Sequence, residues 1–78
     1  MFYALAEPTR RNIVEMLASN GQLSATEICN NFTVSPQAIS QHLKVLREAG
    51  IVGAERQGLW AYYFVIPEAL EELTSWLS

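Results

Sequence analysis

Ser35-Pro36-Gln37-Ala38-Ile39-Ser40-Gln41-His42-Leu43-Lys44-Val45-Leu46-Arg47-Glu48-Ala49-Gly50 is the stretch on which the fold turns. Serine followed by proline is a strong helix start. The hydroxyl accepts from an orphan backbone N–H, and proline occupies a position whose own N–H would have no intrahelical partner. Gly50 can take the left-handed conformation that ends a helix. A helix over about 35–49 is therefore expected. At about 100° per residue, Ile39, Leu43 and Leu46 form one apolar stripe with His42 on its edge. Gln37, Ser40, Gln41, Lys44, Arg47 and Glu48 fall on the other side, a face of amides, hydroxyl and mixed charge.

Upstream, Ser24-Ala25-Thr26-Glu27 has the spacing of a capping box. It opens a short helix with Ile28 and Phe32 on one face, broken by Thr33-Val34-Ser35. Before that, Pro8 can sit in the first turn of a helix whose apolar positions are Ile13, Met16 and Leu17 and whose end is Asn20-Gly21. Phe2 to Ala6 reads as a further short helical piece. Downstream, Ile51–Arg56 and Trp60–Ile66 carry strand-forming residues around Gln57-Gly58-Leu59, where Gly58 supplies the positive φ of a hairpin turn. Trp60, Tyr62 and Phe64 share one face of the second strand, and Ala61, Tyr63 and Val65 the other. Pro67 opens a last helix with Ile66, Leu70, Leu73 and Leu77 as its stripe, widened by Ala69 and Trp76. Two consecutive short helices, a tight turn and a following hairpin make a winged helix-turn-helix, mostly α with a small β-hairpin.

The chain has 78 residues, which sets a single domain over 1–78. Half of its residues are apolar, and two of the longest apolar stretches lie at its ends. A small domain with that excess suggests a partner, most simply a second copy. The formal net charge of -3 argues against DNA binding, which usually needs clustered cations. Its distribution softens the objection: every basic residue lies between Arg10 and Arg56, while Glu68, Glu71 and Glu72 load the C-terminal end. A lone cysteine, Cys29, makes no internal disulfide, which suits a reducing cytoplasm. No apolar run reaches the ~18 residues of a membrane span. Met1 to Ala6 lacks the basic start and apolar length of a secretory leader, so a cytoplasmic location is expected.

Three motifs then carry a resemblance. Ala4-Leu5-Ala6-Glu7-Pro8-Thr9-Arg10-Arg11, the stretch Val34 to Val52, and Gly58 with Tyr62-Tyr63 resemble the ArsR/SmtB family of bacterial repressors. The resemblance spans nearly the whole chain. It implies a dimeric winged helix whose first and last helices form the interface. The best-known members of that family are metal sensors, and here the chain departs. In one sensor type the first helix of the helix-turn-helix holds thiolates, and the matching positions are Ser24 and Thr26, leaving only Cys29. The other type uses His and carboxylates on the last helix, which here has no His. A soft metal needs several converging thiolate or imidazole ligands. No metal and no cofactor are expected.

A recognition helix enters the major groove by its N-terminal part. Glutamine there can pair with adenine N6 and N7, and serine can serve several bases. Gln37, Ser40 and Gln41 are thus the candidates for base contact, and Ser35 and Lys44 for phosphate. Arg56 and Gln57 flank the wing tip and can reach an adjacent groove, although the family's wings are commonly more basic. His42 has two readings, a phosphate contact or a half-buried structural role, and its edge position favours the second. Leu59 and Trp60 can pack inward or stand out as an apolar contact. Cys29 reads as a small core residue in preference to a redox switch. Arg10 and Arg11 gain nothing from a helix N-terminus and are expected to pair with Glu7, Glu15 or the C-terminal carboxylates.

Phe2, Tyr3, Leu5, Leu70, Leu73, Trp76 and Leu77 are the candidates for a homodimer interface, against the plainer reading that the end helices cover their own core. The expected function is a dimeric repressor on a palindromic or near-palindromic DNA operator, with a small-molecule or protein effector open. The alternative is a winged helix used only for protein–protein association. Nothing resembles a nucleophile–base pair, a phosphate loop or a metal centre, so no enzyme is expected.

Overall fold

The computed structural model describes residues 5–69 and 71. Among these, the elements run α1 (Pro8–Asn20), β1 (Leu23–Ser24), α2 (Ala25–Asn30), α3 (Pro36–Glu48), β2 (Val52–Gln57) and β3 (Trp60–Val65). Leu5 is also helical, as are residues 67–69.

Local chemistry sets the helix ends. The Glu7 carboxylate caps α1 by accepting from the Arg10 N–H at 3.1 Å, with Pro8 directly after it. Ser24 Oγ accepts from Glu27 N at 3.2 Å, and Glu27 Oε1 accepts from Ser24 N at 2.9 Å, completing the capping box on α2. Ser35 Oγ accepts from Ala38 N at 3.2 Å and starts α3. Gly50, at φ 78°, follows the last turn of α3. Because α2 is short, its cap carries much of its stability. Ser24→Ala is expected to lower the stability of the domain by about 1 kcal/mol, read as a shift in the thermal or urea midpoint.

The core gathers one face of every element. Ile13, Leu17, Ile28, Ile39, Leu46, Ile51 and Val52 are each below 2% exposed. The stripe read for α3 points inward, since Leu43 is also buried. In α1 the buried set is Ile13, Val14 and Leu17, with Met16 only partly covered. Phe32 lies beyond the end of α2 but still packs on the core. Residues 31–35 form the turn between α2 and α3.

The sheet is larger than a hairpin. It is antiparallel, in the order β1-β3-β2, because Leu23 pairs with Tyr63 and Ser24 with Tyr62. The β2–β3 register runs from Val52–Val65 to Gln57–Trp60. Strand β2 thus begins one residue later than expected and includes Gln57. Gly58 and Leu59 alone make the turn, with positive φ at Gly58 (63°) and not at Leu59, the pattern of a type II′ hairpin. Tyr63 and Val65 face the core. On the other face the Phe64 ring lies across Gly53, where a Cβ would stand 2.7 Å from its Cζ.

Leu5 corrects one expectation. This candidate for the subunit interface is 3% exposed, sealed in its own core, and keeps almost no surface for a partner. The other interface candidates, Phe2, Tyr3, Leu70, Leu73, Trp76 and Leu77, lie outside the described residues.

Candidate nucleic-acid interface

Helix α3 is held from below and open above. Its 13 residues give a rod of about 20 Å. Ile39, Leu43 and Leu46 anchor it, while Ser35, Gln37, Ser40, Gln41, Lys44, Arg47 and Glu48 are all exposed. Residues 37, 40, 41 and 44 recur at three- and four-residue spacing, so they form one stripe along the helix. Gln37, Ser40, Gln41 and Lys44 make no side-chain hydrogen bond or ion pair among the described residues, so their polar groups are available to a ligand.

His42 is placed differently. Its side chain is 17% exposed and turns toward the start of α1. The Arg10 Nη1 lies 3.2 Å from His42 Nδ1, and Glu7 Oε2 lies 3.9 Å from Nε2. A guanidinium only donates, so Nδ1 accepts in the neutral ring and the Nε2 proton faces Glu7. His42 therefore fastens α3 to α1 and does not share the open stripe. Arg11 Nη1 donates to the Leu5 carbonyl at 3.3 Å. Arg10 thus reaches His42, and Arg11, although exposed, spends one donor on a backbone carbonyl.

The wing carries Arg56 and Gln57 exposed near its tip. The tip itself is apolar: Leu59 is 93% exposed and Trp60 54%. Of the two readings open for these residues, the outward one holds. Between the C-terminal half of α3 and β2 runs a groove of about 510 Å³ lined by Lys44, Arg47, Glu48, Val52, Gly53 and Ala54. In the sequence Arg47 is one charge on the mixed polar face of α3. The signal that marks it, its position opposite β2, comes from long-range packing.

Where the family's metal sensors hold thiolates, Ser24 caps α2 and Thr26 is exposed, while Cys29 is half-buried against the core. Among the described residues no group of three or more His, Cys, Asp or Glu side chains is placed to hold a metal ion. No described helix is long and apolar enough to cross a membrane.

A capped helix with an open polar stripe, a shorter helix packed before it and the β2–β3 hairpin after it, with β1 added to the same sheet, define a winged helix-turn-helix. Comparison with known proteins agrees. Residues 7–53 match the family model described as bacterial regulatory protein, arsR family. An uncharacterized HTH-type transcriptional regulator of Methanocaldococcus jannaschii is 34% identical over 94% of this chain and 82% of its own length. The transcriptional repressor SdpR of Bacillus subtilis is 32% identical over 99% of this chain and 84% of its own. Among solved structures, a possible transcriptional regulator for arsenical resistance superposes with a TM-score of 0.84 at 39% identity, covering 96% of this chain and 77% of that one. The chain belongs to the ArsR family and is a DNA-binding transcriptional regulator, not an enzyme.

Proposed function

We propose that the protein is a homodimeric repressor that reads a palindromic or near-palindromic operator. The N-terminal half of α3 enters the major groove and the wing lies against the adjacent backbone. The observation that carries this is the open stripe of Gln37, Ser40, Gln41 and Lys44 on a helix whose opposite side is locked into the core. Gln37 and Gln41 each offer the paired donor and acceptor that match adenine, and Ser40 adds a flexible hydroxyl. Ser35, although it caps the helix, is exposed beside its N-terminus, where a phosphate is favoured. His42 serves this face by holding α3 in place. A second copy, joined through the end helices, would set two recognition helices about 34 Å apart. That SdpR is a repressor supports the sign of regulation. Because no metal-holding cluster occurs among the described residues, this reading does not include metal control, and it leaves the off-switch as a small organic effector, a partner protein or none.

Footprinting on the DNA upstream of the gene tests this. Two protected half-sites one helical turn apart, lost steeply as salt rises, are expected. No sequence-preferring shift at micromolar protein in low salt would overturn it. A second reading, association with another protein, is favoured by the exposed Leu59–Trp60 tip and the acidic net charge. An apolar contact of that kind would be nearly indifferent to the same salt titration.

A further inference from the structure

We infer that the groove between the C-terminal half of α3 and the edge strand β2 seats a DNA phosphodiester, with Arg47 and Lys44 as its cations and the wing's Arg56 continuing the line. This rests on the DNA-binding reading and adds to it a residue and a site. The chain has five basic side chains. Arg10 is half-buried against His42, and Arg11, though exposed, donates to the Leu5 carbonyl. Lys44, Arg47 and Arg56 remain exposed, with no ion pair or side-chain hydrogen bond among the described residues. In a protein of net charge -3, these three cations, without an internal partner among the described residues, are the ones most open to a polyanion.

They are also aligned. Lys44 and Arg47 stand three residues apart on α3 and both line the groove. Across it lies β2, where Val52, Ala54 and Arg56 share a face by strand alternation. Strand β2 is an edge strand. Ile66 N donates to the Ile51 carbonyl at 2.9 Å, so the antiparallel alternation makes Gly53–Phe64 and Glu55–Tyr62 the hydrogen-bonded rungs. The Ala54 N–H then points to the free edge, beside the groove that Ala54 lines. Two cations, a backbone donor and a small residue on the wall suit a phosphate oxygen. Glu48 lines the same groove and opposes an anion there. That opposition gives the proposal a signed test.

The experiment measures binding of the full chain to its upstream duplex and to a scrambled duplex of equal length, across a salt series. Arg47→Gln is expected to weaken both by roughly tenfold at 0.1 M salt. It should also lower the log–log salt slope by about one per subunit, leaving the preference between duplexes unchanged. Arg47→Lys should restore the slope, and Glu48→Gln should tighten both duplexes. Circular dichroism and a melt confirm folding of each variant. If Arg47→Gln keeps the wild-type slope, or Glu48→Gln fails to tighten binding, the phosphate seat is wrong. If the wild-type chain binds neither duplex, the DNA-binding reading itself has failed, a distinct outcome.

Discussion

Replacing Gln37, Ser40 and Gln41 together with alanine is expected to erase operator preference while leaving the fold and the weak, salt-sensitive affinity for any duplex in place. The three side chains are exposed and hold no internal hydrogen bond among the described residues, so nothing in the described core or the caps is lost with them. Alanine is the best helix former, so α3 should persist. A bidentate amide–adenine pair contributes about 1–3 kcal/mol of discrimination. Two such residues per subunit in a dimer therefore span about 4–12 kcal/mol. That covers the ~4–10 kcal/mol that usually separates specific from non-specific binding. The ratio of operator to scrambled affinity should fall by at least about a thousandfold, measured by gel shift at fixed salt. A ratio within tenfold of wild type would place base reading elsewhere in the molecule.

Leu46→Ala should remove about 2–5 kcal/mol of stability, a large share of what the domain has. Leu46 is fully buried, and its own carbonyl accepts from Ile51 N at 3.0 Å where α3 hands over to the wing. Truncating a buried leucine costs about 2–5 kcal/mol, the transfer of its methyls plus the cavity left behind. A domain of this length has roughly 4–12 kcal/mol to lose, at about 0.05–0.15 kcal/mol per residue. Urea unfolding followed by circular dichroism reads the loss as a large drop in midpoint. Leu46→Met, which keeps the volume, should cost less than about 1.5 kcal/mol. Leu59→Ala provides the contrast: at 93% exposed it should change stability by no more than about 0.5 kcal/mol. A Leu46→Ala protein as stable as Leu59→Ala would mean that α3 is not seated as described.

The contrast between those two leucines shows where reading a sequence succeeds. Leu46 belongs to a three- and four-residue repeat with Ile39 and Leu43, and periodicity alone turns it inward. Leu59 has no such company in a two-residue turn, so either direction was open until the β2–β3 register was known. Helix starts were legible for the same local reason. Ser24 and Ser35 act on N–H groups three residues away, within reach of a single side chain, and Pro8 marks the start of α1, whose Glu7 cap only the structure shows. The open stripe of α3 follows from the same repeat read from its other side.

What stayed hidden needed contacts between distant parts of the chain. Leu23 and Ser24 are too few to show strand alternation, and they become a strand only because Tyr63 and Tyr62 lie opposite. His42 sat at the edge of a stripe with two readings until Arg10, 32 positions away, supplied its partner. Leu5 looked like spare apolar surface and was instead absorbed by its own core. Arg47 was one charge on a solvated face until β2 made the other wall of a groove. Caps, turns and periodic faces are decided within a turn or two of the backbone, so neighbouring residues specify them. Sheet order, burial of an isolated side chain and the pairing of a charge depend on which segments collapse together, and no short window of residues contains that information.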